Sequence, residues 1–593
     1  AADWKAEGDA SLDNAAWDAA ARCYQEALAL EPRLAAAHSN LGFALAQMNR
    51  IEPAQRHLHA ALEIDPALVN AHYVLATIAH QLGDAAQAIE HFRDAVAAQP
   101  GFAEAWNYLG NLLIERGDAA GAIEAYRKAA AADPASTDIM NNLAGMAGQY
   151  GDRHVAIAQY KSLLQLAPDS PGARLNLVHQ LFQTCQWDCI ETEIDQVRRN
   201  VREAPDSIDN RDSPFAFLAL PGATEAEQRR CAEKWAFALY QPQYRARREL
   251  RFDYQREPGA KPHIAYLSAD FHDHATARLM AEVFERHDRS RFTVSAYSYG
   301  PEDGSAMSAR LEKAFDRFID IREDSIRDAA VRIHADRVDI LIDLKGYTGD
   351  SRSAILALCP APIQVNYLGY PGTMGADFVD YLIADRCVIP ESSRLHYREE
   401  ITYLPDTYQP TDSARPIPPR PERSAVGLPE QGLVFCCFNQ TYKITPAIFD
   451  IWCRLLRETE GSVLWLIASE PRTEENLRVE AQRRGVAAAR LVFAPRTDPE
   501  RHLARQQCAD LFLDTLPYNA HTTCSDALWM GLPVVTWRGD TFPARVAASL
   551  LQALGVPELA ADSAEAYYEL ALALAHDNDR RNALRDKIIA MRR

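Results

Sequence analysis

Along the first 170 residues, apolar and small positions return with a step too long for any single helix. Leu41, Leu75, Leu109, Leu143 and Leu177 are each 34 residues apart, and so are Pro32, Pro66, Pro100, Pro134 and Pro168. An aromatic column (Tyr24, Phe92, Tyr126, Tyr160, with Leu58 in the gap) and a small-residue column (Ala27, Ala61, Ala95, Ala129) keep the same register. Within each unit the pattern predicts two helices. Small residues stand where the helices approach, Gly83, Gly117 and Gly151 followed by Asp mark the stop of one helix and the start of the next, and the proline ends the second. Stacked, such units bury a continuous core that none could bury alone.

The period is that of tetratricopeptide repeats, which predicts an α-solenoid over residues 1–170 with a concave groove suited to protein or peptide partners. Asn40, Asn142 and Asn176 share one column, interrupted by Val74 and Tyr108. Their amides either hold a peptide backbone through donor and acceptor together or pair within the solenoid. From Pro171 the period fades while helical patterning continues to Arg245-Ala246-Arg247-Arg248, so 171–258 reads as a helical transition.

After Glu257-Pro258-Gly259 the pattern changes to short β-branched and aromatic runs: His263–Leu267, Phe292–Tyr299, Val338–Leu344, Ile363–Leu368 and Tyr381–Ala384. Helical stretches between them predict βαβ units. A bridge, Ile417-Pro418-Pro419-Arg420-Pro421, fits neither helix nor central strand. Beyond it come Leu433–Phe438, Val463–Ile467, Leu491–Phe493, Leu511–Asp514 and Pro533–Trp537. The reading is two Rossmann-like lobes, 259–400 and 426–593, joined by a linker at 401–425. Lobes of this kind face each other across a cleft lined by strand-to-helix loops.

The 593 residues are too many for one core, and 48% hydrophobic with 24% charged residues is a globular composition. With 63 Lys and Arg against 82 Asp and Glu, a net charge of −19 argues against nucleic acid as partner, so an anionic ligand must be caught locally. The sequence contains neither an apolar run long enough to span a bilayer nor a signal-peptide pattern at Ala1-Ala2-Asp3-Trp4-Lys5. Eleven cysteines without a framework, Cys436-Cys437 adjacent and Cys185 and Cys189 four apart, predict reduced thiols and a cytoplasmic setting.

Neither the dinucleotide fingerprint nor a P-loop occurs. After Leu511–Asp514 runs Thr515-Leu516-Pro517-Tyr518-Asn519-Ala520-His521-Thr522-Thr523 and then an apolar-periodic helix. His521, Thr522 and Thr523 thus stand where free N–H groups and the positive helix end meet a diphosphate, unless the threonines serve only as caps. Phe438-Asn439-Gln440-Thr441-Tyr442-Lys443-Ile444 brings a cation to the same lobe's cleft. In the first lobe Ser268-Ala269-Asp270-Phe271-His272-Asp273-His274 opens a helix. Two histidines and loose carboxylates do not specify a metal set, and a base or a substrate-binding His fits better.

These residues resemble the O-linked N-acetylglucosamine transferases: tetratricopeptide repeats followed by a two-lobed GT-B glycosyltransferase. The resemblance rests on Leu368-Gly369-Tyr370-Pro371-Gly372-Thr373, on Phe438-Asn439-Gln440 through Lys443-Ile444, on Asn519 through Thr523 with Asp526, and on Arg545-Val546-Ala547-Ala548-Ser549. It implies that Gln440, Lys443, His502, Arg505, His521, Thr522, Thr523 and Asp526 contact the UDP part of the donor and that His274 is the base. Where the family carries a further Lys ahead of His502, Pro499 stands here. The large interlobe insert of animal members is absent, as in a compact bacterial-type member.

The implied reaction moves a sugar from UDP-GlcNAc to a Ser or Thr hydroxyl with inversion, Lys443 and N–H groups stabilising the departing UDP without a metal or other cofactor. The one D-x-D, Asp577-Asn578-Asp579, lies in the terminal helical segment, away from any strand end. Alternatives are a transferase using UDP-glucose or modifying Asn, and a relic that only gathers partners on its repeats.

Overall fold

A computed structural model describes residues 1–188, 190–255 and 259–592. Cys189 and the Glu257-Pro258 break lie outside the described residues. The chain forms two compact units, Ala1–Ala173 and Arg174–Arg593. No described helix is long and apolar enough to cross a membrane.

Among the described residues the first unit holds ten helices, from Ala2–Asp13 to Arg153–Leu166, packed as successive hairpins. The sequence columns are its core: Ala27, Ala61, Ala95 and Ala129 are fully buried, and so, within a few per cent, are the leucine column from Leu41 to Leu143 and the aromatic column. The turn between paired helices needs a left-handed residue, with φ 54°, 58°, 83° and 77° at Ala15, Asn49, Gly83 and Gly117. Asp84 and Asp118 then cap the following helices by accepting from Gln87 N (3.0 Å) and Gly121 N (2.8 Å). Of the two that carry a Cβ, Asn49 is of a type that visits this region routinely, so Ala15 bears the larger penalty, about 1–2 kcal/mol, against a smaller cost of glycine in the unfolded chain. Ala15→Gly is therefore expected to stabilise the repeat unit by about 0.5–1 kcal/mol, read as a raised denaturation midpoint.

A further column works through side-chain donors. His38 Nε2, His72 Nε2 and Trp106 Nε1 lie 3.0, 3.0 and 2.9 Å from the carbonyl oxygens of Pro32, Pro66 and Pro100, tying each helix start to the preceding turn. The Asn column is spent inside the repeats where it is resolved into partners. Asn40 donates to Asp9 (3.0 Å) and to the Tyr24 hydroxyl (3.2 Å), and Asn142 donates to Asn107 (3.0 Å).

In the second unit the helical stretch 174–250 is not a separate body. Leu218, Ala232, Ala236 and Tyr240 share one core with Ala265, Leu267 and Tyr347 of the first lobe. That lobe is built on β1 (His263–Ser268), β2 (Thr293–Ser298), β3 (Arg317–Asp320), β4 (Ile340–Asp343), β5 (Ile363–Asn366), β6 (Tyr381–Ala384) and β7 (Glu400–Tyr403). They form one parallel sheet in the order β3-β2-β1-β4-β5-β6-β7. β7 carries this sheet past residue 400, so the linker begins after Tyr403.

The second lobe repeats the plan with β8 (Val434–Cys437), β9 (Val463–Ile467), β10 (Leu491–Ala494), β11 (Leu511–Leu513), β12 (Val534–Trp537) and β13 (Ala560–Ala561), all parallel, in the order β10-β9-β8-β11-β12-β13. In both sheets the winding reverses beside the first strand, between β1 and β4 and between β8 and β11. Loops leaving those strand ends diverge and open a crevice. The Pro-rich bridge is strapped to the second lobe by Gln507 Nε2 on the Pro418 carbonyl (2.8 Å). A buried hydrogen bond joins the lobes, Ser549 Oγ donating to Asp385 (2.7 Å), and another ties the linker to the second lobe, from Gln409 Nε2 to Ser525 Oγ (2.6 Å). Ser549 of the Arg545-Val546-Ala547-Ala548-Ser549 motif thus has a structural task.

Candidate active site

A cavity of about 480 Å³ lies where the four switch-point loops meet, and it brings together His274 and Lys345 from the first lobe with Gln440, Lys443, His521, Thr522 and Thr523 from the second. The loop after β4 was not picked out in the sequence. Its Lys345 looks there like a single cation at the end of an apolar run, and only the strand order reveals that this run borders the crevice.

Lys443 stands on the short turn Thr441–Lys443 directly after β8. Its Nζ donates to the Asn519 carbonyl (2.8 Å) and lies 4.0 Å from the centroid of the Tyr518 ring. Burial pushes its ammonium down to about 8, while Asp514 at the end of β11 pulls the other way. The same burial pushes the Asp514 carboxyl up, against hydrogen bonds from Thr536, Ala520 N and Thr515 N. An ammonium with one neutral acceptor is undercompensated, which is the state a dianionic ligand relieves.

The helix Thr522–Trp529 begins at the cavity, and its cap residue is His521, which makes no side-chain capping bond. Thr522 and Thr523 are therefore not the caps. Thr523 Oγ1 donates to Asn439 Oδ1 (2.5 Å), tying the β11 loop to the β8 loop. His521 stacks on Tyr518 with centroids 4.7 Å apart and places Nε2 3.1 Å from the Pro543 carbonyl, which fixes Nε2 as the protonated nitrogen. Burial and the neighbouring Lys443 hold this ring neutral, well below the usual imidazole range.

Across the cavity His274 caps the helix Ala275–Glu285, its Nδ1 accepting from Thr276 N (3.2 Å). The same nitrogen lies 3.3 Å from Asp270 Oδ2. Asp270, itself buried, accepts from Lys345 Nζ (2.9 Å) and Thr276 Oγ1 (3.1 Å). Nδ1 thus has two uses, and only donation to Asp270 leaves Nε2 with a free lone pair for a hydroxyl proton. Burial lowers the His274 pKa, so the ring is neutral at neutral pH.

Three residues of the expected UDP set lie off the cavity wall. His502 packs its ring edge-on to Phe438 (5.2 Å), which does line the cavity, and its Nδ1 accepts from Arg505 (2.7 Å). Burial beside this cation pushes His502 down to about 4. Asp526 forms an ion pair with the buried Arg415, which lies against Trp529. Pro499 is the first residue of the helix Pro499–Gln506, where its missing N–H costs nothing. Leu368 (φ 70°) and Gly369 form part of the cavity wall, and a Cβ on Gly369 would stand 2.0 Å from the Leu344 carbonyl, so the chain closes there only with glycine. Asp577 of the D-x-D caps the final helix by accepting from Arg580 N (2.9 Å). Ten described cysteines are all free, nine of them buried.

Two doubly wound sheets facing a shared crevice, with cations and an uncapped helix start in it, define the GT-B class of glycosyltransferase fold. The chain belongs to Glycosyl transferase family 41, which matches residues 224–419 and 419–593, and residues 41–101 and 73–137 match the tetratricopeptide repeat. It is 36% identical over 346 residues to a probable UDP-N-acetylglucosamine–peptide N-acetylglucosaminyltransferase of Arabidopsis thaliana, covering 57% of this chain and 35% of the relative. It is 31% identical over 451 residues to the UDP-N-acetylglucosamine–peptide N-acetylglucosaminyltransferase of Caenorhabditis elegans, covering 57% and 39%. The matches thus span little more than a third of these relatives. A solved structure of a mutant O-GlcNAc transferase from Thermobaculum terrenum superposes with a TM-score of 0.64 at 28% identity, covering 89% of this chain and 93% of that one.

Proposed function

We propose that the chain transfers N-acetylglucosamine from UDP-GlcNAc to Ser or Thr hydroxyls of proteins with inversion, the repeats holding the acceptor. The observation that carries this reading is the meeting, in one cavity, of Lys443, the uncapped helix start at His521-Thr522-Thr523 and, from the opposite lobe, His274. The acceptor oxygen bonds to the anomeric carbon as the bond from that carbon to the β-phosphate oxygen breaks. UDP leaves with the electron pair, and the hydroxyl proton passes to His274 Nε2. Lys443 and the N–H groups of Thr522 and Thr523 meet the growing diphosphate charge. Gln440 completes the donor site, with His502, Arg505 and Asp526 positioning its walls. Two sources of positive potential for one diphosphate support turnover without a divalent metal, and the free thiols support a cytoplasmic setting.

The test is UDP release with a panel of UDP-sugars, with and without a peptide library, in chelator and again with added Mg²⁺. UDP-GlcNAc is expected to give the fastest acceptor-dependent release, unchanged by chelator. Preference for UDP-glucose, modification at Asn, or abolition by chelator with rescue by metal would each overturn the corresponding part. His274→Asn keeps a helix cap and removes the base. It is expected to lower kcat about 10²-fold or more and to erase the acid limb of the pH profile, which in the wild type falls below the ordinary imidazole range because burial lowers that pKa. An unchanged profile would make His274 a positioning residue.

A further inference from the structure

We propose that the third repeat carries a metal site, formed by His72 Nδ1, His91 Nδ1 and a carboxylate oxygen of Asp94, that takes a borderline divalent cation of the Zn²⁺ type. It is the only group of three such ligands close enough together among the described residues, and it lies in the repeat unit. His72 stands on the helix Val69–Gln81, and His91 and Asp94, three apart on one face, stand on its hairpin partner Ala85–Ala98.

Two of the three ligand separations are those a single ion can bridge. The two Nδ1 atoms are 3.1 Å apart, and His72 Nδ1 lies 3.6 Å from Asp94 Oδ2. With bonds of about 2.0–2.1 Å to each atom, these two separations subtend angles of roughly 100° and roughly 120° at the ion, either side of the tetrahedral value, and the exposed Asp94 carboxylate, within 4.8 Å of both nitrogens, closes the set by turning its side chain. His72 is also oriented from behind. Its Nε2–H donates to the Pro66 carbonyl (3.0 Å), which leaves Nδ1 unprotonated, as in the carbonyl–histidine–metal arrangement that fixes ligand tautomers. Without an ion that lone pair accepts from His91 Nδ1–H, and a metal takes the place of this one proton as His91 shifts to its other tautomer. His72 is buried and His91 half-buried, so both rings are held, while Asp94 faces solvent and leaves an entry path.

The preceding repeat supplies a built-in control. His38 and His57 reproduce the pair one period earlier, with Nδ1 atoms 3.0 Å apart and His38 Nε2 on the Pro32 carbonyl at 3.0 Å. The position matching Asp94 is Ala60 there. Two imidazoles without a carboxylate give a weaker, two-point site, so the second and third repeats differ in the one ligand that completes the set. A bound ion would clasp the two helices of the third hairpin and stabilise the repeat unit by mass action.

The experiment titrates Zn²⁺ into the chelator-stripped full chain by calorimetry at pH 7.5, with thermal unfolding in parallel. One tight equivalent and a raised unfolding midpoint are expected for the wild type. His91→Gln should lose that equivalent, and Asp94→Asn should weaken it at least about tenfold, with unchanged helical dichroism in both. Ala60→Asp should add a second tight equivalent. His57→Gln should leave the first intact. A titration that His91→Gln and Asp94→Asn do not alter, or no binding by the wild type, would overturn the proposal. Because the readout is metal affinity, failure here leaves the glycosyltransferase reading untouched.

Discussion

Lys443→Ala is expected to lower kcat about 10²–10³-fold, the 2.7–4 kcal/mol typical of removing one preorganised donor from a developing oxyanion, while UDP still binds. The difference arises because the charge on the leaving β-phosphate grows only as the glycosidic bond breaks, so the ammonium is worth more there than in the ground state. Burial pushes the free Lys443 ammonium down to about 8. The protonated form therefore dominates at pH 7, and the wild-type rate is expected to fall as pH rises through 8 and beyond. A bound diphosphate raises that pKa, so UDP binding near pH 8 should take up a proton, visible as a dependence of calorimetric heat on buffer ionisation enthalpy. An unchanged kcat in a folded variant, or an alkaline limb that survives in it, would remove Lys443 from the mechanism.

Asp526→Ala is expected to destabilise the second unit by about 3–5 kcal/mol, as removal of one partner from a buried ion pair does. Arg415 is left behind with 7% of its side chain exposed and with Nη1 already lacking a hydrogen-bond partner. Burial raises the Asp526 pKa despite Arg415, so the pair adds little in itself. The cost is that of stranding the guanidinium. For that reason Arg415→Met in the same chain should recover most of the loss. Denaturant midpoints of the two single variants and the double variant give the coupling. Wild-type stability in Asp526→Ala together with a large loss of UDP affinity would instead make Asp526 a ligand-contacting group.

What the sequence made legible follows the physics of burial. The repeat columns were visible because each position is buried identically in every unit, and the central strands because both their faces are covered, as in Val434–Cys437. The strands it concealed, β3, β7 and β13, lie at sheet edges. Arg317–Asp320 and Glu400–Tyr403 are half exposed and read as polar alternation. At the site, Lys443 and His521-Thr522-Thr523 could be found because they directly follow apolar runs. The Asp270 bridge between His274 and Lys345, and the Arg415 partner of Asp526, join residues 75 and 111 positions apart. No periodicity records such pairings.

The column that ties each helix start to a proline carbonyl asks only for an N–H at a given point, and the chain meets that demand with His38, His72 and Trp106 in turn. Fold and metal affinity are thus separable traits. An imidazole in this column brings a second nitrogen that the scaffold does not need, whereas an indole satisfies the scaffold and offers nothing more. In such repeats a metal clasp can be gained or lost by exchanging one donor for another while the tie from helix start to proline carbonyl is kept.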